Sequence, residues 1–401
     1  MSTLLADPRQ RRAAFVFAAV FVIGFGLLQP VLLAIHDLND FQGFWRAGRS
    51  VLEARRLHVE SNVERYLPVF QVLHVPLAVL PVGVAAGLWF ALSVAALWGL
   101  PRQLERLSGA PAREQWPAFA VLFVLMLDNL KLGQSAPVLL WLTAWGAARA
   151  REGGALAGGF AIGAAALFKV IPAATLGAPV VLRRARGALA GFALAVAIGF
   201  AATAAWVGPR ATLDATWRWA AEVRAEQSAW ALVESGRSLR YNNQGLAVTL
   251  ARTFGDVDER KALGAVRLAS WPWPWVWTLY GLVLVALFAV GASAALGARR
   301  RTDGDAWLEL YALSALGMLL AAPIVWTHFF LWMLPGLVML RDRPRLLLWG
   351  GIAFNAALVL TPLRALGFHM ACALALYLWI ALGLNDLAKS SGSYPRTSKS
   401  L

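Results

Sequence analysis

The sequence predicts an all-α polytopic membrane protein. Three observations carry that prediction: apolar runs at or near membrane length, basic clusters confined to alternate gaps between them, and two long water-facing segments among short ones. Of the 401 residues, 59% are hydrophobic and 19 are Trp, and the mean hydropathy is +0.60. A soluble chain of this length has no interior large enough for so much apolar surface, whereas a multi-span protein presents it to lipid. In a soluble chain the net charge of +15 would point to nucleic acid. Here the basic residues stand between apolar runs, where they act as topology signals and phospholipid contacts, so no nucleic-acid partner is expected. The single cysteine, Cys372, lies inside an apolar run, which excludes a disulfide framework and a Cys-based metal site.

The runs fall at about 13–34, 76–100, 116–129, 135–148, 154–168, 171–182, 188–207, 272–297, 306–322, 329–340, 346–361 and 370–384. About ten to twelve transmembrane helices follow, the shorter runs 154–168 and 171–182 being candidates for tilted, broken or re-entrant segments. The first run has no small-residue cleavage site after it and is expected to stay as an anchor. Segments 1–12, 101–115, 149–153, 183–187, 298–305, 341–345 and the tail each carry two or three Lys or Arg. The short turns on the other side hold only Lys131, Lys169 and Arg364. By the positive-inside rule both termini are cytoplasmic, and the long segments 35–75 and 208–270 are extracytoplasmic. Residues 1–385 read as one membrane domain, and 386–401, rich in Ser and basic residues, as a disordered cytoplasmic tail. No regular internal repeat is evident.

On the outer face, segment 40–57 places apolar residues at 41, 44, 45, 48, 51 and 52, with Arg46, Arg49, Glu53 and Arg56 largely opposite. That spacing predicts an amphipathic helix lying in the headgroup plane, aromatics towards lipid tails and arginines towards phosphate. Asp37 or Asp40 would open it. A carboxylate there serves either as a helix cap or as a general base beside a lipid headgroup, and the residues alone support both. Tyr66-Leu67-Pro68-Val69-Phe70 and Pro76-Leu77-Ala78-Val79-Leu80-Pro81 read as a kinked return into the membrane. Asp128 to Gln134 form a polar turn between two apolar runs.

Lys169, ahead of Pro172, is costly at membrane depth unless it snorkels to the interface or meets an anion such as phosphate. Arg240 opens the polar cluster Arg240-Tyr241-Asn242-Asn243-Gln244-Gly245, whose amides suit sugar hydroxyls or a capped helix start equally. At Trp326-Thr327-His328 the histidine is either a satisfied interface residue or a phosphate and proton contact. No Gly-rich nucleotide loop, esterase motif or metal cluster of the usual spacing appears, so no metal or cofactor is expected.

In this order, the polar islands resemble glycosyltransferase family 87, the polyprenyl-phosphate-mannose-dependent mannosyltransferases of the membrane GT-C fold. The matching pieces are Asp40-Phe41-x-x-Phe44-Trp45-x-Ala47, Tyr66-x-Pro68-Val69-Phe70, Pro76-Leu77-Ala78-x-Leu80-Pro81, Leu88-Trp89 and Gly133-Gln134. Further along stand Lys169-x-x-Pro172, Asn243-Gln244-Gly245-Leu246 and Pro323-Ile324-x-Trp326-x-His328. The resemblance extends over about residues 14–340. It implies that Asp40 is the catalytic carboxylate and that Lys169 and His328 contact the donor phosphate. Gln134, Asn243 and Gln244 would line the sugar cavity, with Asp37, Arg240 and Trp326 as further substrate-binding residues.

The sequence departs from the family at Arg56-Leu57-His58-Val59, where a Gly-x-Pro-Tyr ending is usual, and at Leu67 and Phe329. These departures bear on the acceptor and the sugar. The expected enzyme moves a hexose, most simply mannose, from a polyprenyl-phosphate donor to a lipid or glycan acceptor hydroxyl. Its expected place is the outer face of a bacterial inner (plasma) membrane. The alternative is a transporter or flippase of a lipid-linked or polar solute, which calls for titratable groups at mid-membrane depth on paired broken helices.

Overall fold

The computed structural model of the chain describes residues 40–54, 57, 66–226, 228–235, 239–257, 266–299 and 305–391. Asp37, the anchor expected at 13–34 and residues 392–401 lie outside them. Among the described residues the fold is helical, with isolated bridges at Asn243–Trp326 and Gly255–Trp271 and no strand. Three helices among the described residues are long and apolar enough to cross a bilayer: Val82–Ser108, Ala185–Val207 and Trp273–Ala298. The pair Ala112–Val121 and Phe123–Leu132, bent by 72°, forms a fourth if taken as one span. Six shorter apolar helices of 10–17 residues account for other runs. Outward-facing residues such as Val285 at 67% and Phe288 at 78% exposure give the Trp273–Ala298 helix an apolar surface suited to lipid.

Helix Ala155–Phe168 ends where Lys169 turns extended, and Pro172 opens the following 3-10 segment Ile171–Leu176. The two short runs therefore form separate elements, because the proline ring cannot continue the preceding helical hydrogen bonding. Helices Ala155–Phe168 and Ala185–Val207 approach backbone to backbone at glycines. A Cβ on Gly159 would lie 1.9 Å from the Ala188 carbonyl oxygen, and one on Gly191 1.9 Å from that of Leu156. In lipid such close packing replaces a hydrophobic driving force between helices. The main core surrounds helix Asp305–Ala321, where the buried Tyr311 hydroxyl lies 2.8 Å from the Thr143 hydroxyl and 3.2 Å from the Leu140 carbonyl.

The amphipathic helix forms at Asp40–Ala54, as the periodicity predicts. Its apolar face, however, packs on protein. Phe41, Phe44, Ala47 and Val51 are buried, and Phe41 and Phe44 form one cluster with Phe70, Ala85, Ala86 and Trp89. The expected seat of these aromatics among lipid tails is thus corrected: an aromatic platform from the 66–90 segment covers them. Gly48 makes the contact possible, since a Cβ there would lie 2.7 Å from the His74 backbone. Burial pushes His74 down to about 4, leaving a neutral ring 2.8 Å from the Phe70 carbonyl through Nδ1.

At the other end, helix Phe368–Ser391 continues six residues into the segment assigned to a disordered tail. Leu387, Ala388 and Lys389 are strong helix formers and carry it on.

Candidate active site

Asp40 is the first residue of its helix, and two contacts on one tryptophan decide what it faces. The Phe41 ring stacks 5.9 Å from Trp89, while the Trp89 indole N–H donates to the Gly133 carbonyl at 2.9 Å. Gly133 adopts φ +67°, a left-handed turn that closes helix Phe123–Leu132 and delivers Gln134 at its end. The separated motifs Asp40-Phe41, Leu88-Trp89 and Gly133-Gln134 are therefore one assembly. Within it the Gln134 Nε2 donates to the Asp40 carboxylate. Its amide oxygen faces the other way and accepts from Lys169 Nζ at 3.3 Å. The Lys169 ammonium also sits 4.4 Å from the Phe329 ring centre and 5.6 Å from that of Tyr66. Carboxylate, amide and ammonium thus form a file in which Gln134 orients Asp40 and carries the influence of the cation behind it.

Asp40 opens onto a cavity of about 760 Å³. Its polar lining is Asp40, Asp128, Arg240, Asn242, Trp326, Thr327, His328 and Arg364, and its apolar lining Val124, Leu125, Leu132 and Leu358. That volume suits a sugar and a second polar group together. His328 is nearly buried, its backbone carbonyl held by Asn129 at 2.9 Å and its Nε2 without an acceptor or donor among the described residues.

Of the residues singled out in the sequence, Asp40, Arg240, Trp326 and His328 line this cavity. Gln134 bonds Asp40 directly. Lys169 borders a separate, largely apolar crevice with Pro172 and Trp332, and Gln134 links it to Asp40. Asn243 and Gln244 are fully buried behind the wall. Asn243 Oδ1 accepts the Val325 and Gly245 N–H groups at 3.0 Å, and the Gln244 backbone donates to Val325 at 2.7 Å. The Gln244 side chain donates to the carbonyls of Tyr241 at 2.5 Å and Arg364 at 2.6 Å. Through these atoms both amides fix backbone, while Asn243 Nδ2 and Gln244 Oε1 have no hydrogen-bond partner among the described residues.

Behind them lies a second bracket. Arg252, 1% exposed, donates to the carbonyls of Ala365 at 2.9 Å, Arg240 at 2.8 Å and Asn243 at 2.9 Å. Burial lowers its guanidinium to about 10. The cavity residues that the sequence reading did not select are Asp128, Asn242, Thr327 and Arg364. Asp128 reads in the sequence as part of a polar turn, but it lies within helix Phe123–Leu132. Arg364 carries a usable signal, being the sole Lys or Arg between 346 and 388, and an isolated cation in an apolar stretch marks a site.

Fold and cavity together define a multi-pass helical membrane protein with a carboxylate-and-arginine site at a helix start. The profile of glycosyltransferase family 87 matches residues 65–323, and the chain belongs to that family. Two curated relatives carry the same description, polyprenol-phosphate-mannose-dependent alpha-(1-2)-phosphatidylinositol pentamannoside mannosyltransferase. The protein of Mycobacterium tuberculosis (strain CDC 1551 / Oshkosh) is 27% identical over 309 residues, covering 72% of this chain and 62% of the relative. That of Mycolicibacterium smegmatis (strain ATCC 700084 / mc(2)155) is 26% identical over 316 residues, covering 72% and 65%. The match therefore spans under two thirds of each relative's length. No solved structure matches the chain. Both Asp40 and Arg364 lie outside the stretch that the family profile covers.

Proposed function

We propose that the protein is a mannosyltransferase that takes mannose from a polyprenyl-phosphate carrier and passes it to a lipid or glycan hydroxyl on the extracytoplasmic face. The observation that carries this reading is Asp40 at the cavity wall, bonded by Gln134 with Lys169 behind it. Asp40 acts as general base. As the acceptor oxygen bonds to the anomeric carbon, its proton passes to the carboxylate, and the carbon–oxygen bond to phosphate breaks with its electron pair. In-line attack inverts the anomeric centre. Cationic side chains balance the departing monophosphate, so the reading assigns no metal to the step.

Family membership and the relatives' names support the donor. The relatives' names carry a phosphatidylinositol pentamannoside, and an acceptor of that glycolipid kind fits a cavity lined by both polar and apolar side chains. The test is transfer of radiolabelled mannose from polyprenyl-phosphate-mannose in membranes bearing wild-type or Asp40→Asn protein. Transfer by the wild type and its loss in the variant support the reading. Equal transfer by both removes the base, and none by either favours a transporter. Labelling of a cysteine placed at Trp217, which is 74% exposed, by a membrane-impermeant maleimide added outside tests the sidedness.

A further inference from the structure

We propose that Arg364, together with Thr327 and Arg240, forms a phosphate-binding subsite on the cavity wall, distinct from the Lys169 position. The phosphate it takes is borne by a lipid: the monophosphate of the polyprenyl donor or the headgroup phosphate of a lipid acceptor. The inference deepens the reading above and rests on it for the identity of the lipid, although the subsite itself is argued from geometry.

Arg364 lies in the last turn of the short helix Thr361–Ala365, between the longer helices Pro344–Val359 and Phe368–Ser391. Its side chain reaches the cavity that Asp40 lines. Three contacts fix the plane of the guanidinium. Nη1 donates to the Leu358 carbonyl at 3.2 Å, Nη2 donates to the Thr327 hydroxyl at 3.1 Å, and the group lies 4.8 Å from the Tyr241 ring centre. A guanidinium has five N–H donors. Two are used here, and the buried Nε has no acceptor among the described residues. The Thr327 hydroxyl accepts from Arg364, so its own proton is available to a ligand.

No carboxylate stands within ion-pair distance of Arg364 among the described residues; Asp128, on the same cavity, feels its field from farther away. A half-buried cation without a close counterion is unfavourable in low-dielectric surroundings, and a bound anion relieves that cost. A planar fork with a hydroxyl beside it suits phosphate in particular. Arg240, exposed on the same cavity, adds a second cation.

The backbone around Arg364 is held with unusual care. Gln244 accepts no role at the surface but bonds the Arg364 carbonyl, and Arg252 bonds that of Ala365, the next residue. The polar cluster 240–245 thus has a purpose that its composition did not reveal: it sets the position of Arg364. Lys169, by contrast, lines the neighbouring apolar crevice, its ammonium on Gln134 and beside the Tyr66 and Phe329 rings.

The test is binding, which needs no catalysis. Purified protein in zwitterionic nanodiscs is titrated with undecaprenyl monophosphate, with phosphatidylinositol, and with phosphate-free undecaprenol. Arg364→Gln is expected to weaken one phosphate probe about tenfold or more, the range of a lost charge-assisted bond, and to leave undecaprenol unchanged. Arg364→Lys should recover part of the loss. The probe that moves identifies the source of the phosphate. Binding of both phosphate probes within about twofold of wild type, or an equal loss of undecaprenol, overturns the proposal. If Arg364→Gln does not fold, Arg240→Gln decides: an exposed side chain is removed, a loss for the same probe is expected, and no change overturns the shared subsite. Mannose transfer is measured separately. Arg364-dependent binding without transfer by the wild type sinks the enzymatic reading and leaves the subsite standing, and transfer without Arg364-dependent binding does the reverse.

Discussion

Replacement of Arg252 by Met tests whether the segment behind the cavity wall is a structural clamp. Met keeps roughly the volume of the aliphatic stem and removes the donors to the Ala365, Arg240 and Asn243 carbonyls. Charge-assisted hydrogen bonds contribute about 1.5–3 kcal/mol each, so three amount to roughly 5–9 kcal/mol. Against this stands the cost of burying the guanidinium. Its fall from an ordinary 12.5 to about 10 corresponds to about 3 kcal/mol of lost hydration, at roughly 1.4 kcal/mol per unit. The balance leaves Arg252 stabilising by about 2–6 kcal/mol, and Arg252→Met should lower the melting temperature by roughly 2–7 °C.

The chain supplies its own reporter: Cys372, its single cysteine, is half-buried and reacts with a thiol-reactive fluorophore as the fold opens. Arg252→Lys, which keeps the charge but loses the fork, should fall between the two. Because the clamp ends beside Arg364 and on Arg240, the Met variant should also raise the donor or acceptor KM. Melting within about 1 °C of wild type would refute the reasoning, since three charged contacts would then be worth no more than the hydration they cost.

Gln134→Leu removes the amide between Asp40 and Lys169; mannose transfer should fall at least about tenfold in kcat, the scale of one misplaced catalytic contact, and an unchanged kcat would detach Gln134 from the mechanism. Gly191→Val should abolish the folded monodisperse peak in size-exclusion chromatography, because its Cβ would fall 1.9 Å from the Leu156 carbonyl oxygen. Glu152 bonds Arg106 at 2.7 and 2.5 Å, and that partner holds its carboxyl below the usual range. Its stabilisation is therefore present above the ordinary glutamate value and lost as pH falls through the lowered one. Glu152→Gln should melt slightly earlier than wild type at pH 7, by no more than about 1 kcal/mol for so exposed a pair, and the difference should vanish in strong acid.

Periodicity and proline placement in the sequence locate helices that the structure contains. Helix Asp40–Ala54 has its apolar positions where the 3.6-residue repeat puts them, and the break at Lys169–Pro172 follows from a proline's missing donor. What periodicity does not encode is the partner of an apolar face. Phe41 and Phe44 read as lipid-facing, yet they sit on Trp89 and Phe70, far along the chain, because Gly48 lets the chain approach His74. The site divides the same way. Asp40, Arg240, Trp326 and His328 stood out as polar groups at the ends of apolar runs, and they meet in one cavity. Asn243 and Gln244 stood out equally and turn their amides to backbone, since a sequence states hydrogen-bonding capacity and not direction. Arg364 reads in the sequence as a turn residue; only the folding of 358–365 against Thr327 and Tyr241 brings it to Asp40's cavity.

The most direct measurement is single-turnover transfer by purified wild-type and Asp40→Asn protein, with binding of the mannosyl donor measured on the same samples. A general base that touches only the reacting hydroxyl predicts a fall in the transfer rate of about 10²- to 10⁴-fold with donor affinity unchanged. A variant that transfers within a few-fold of wild type, or that loses donor binding in step with rate, contradicts the assignment of Asp40.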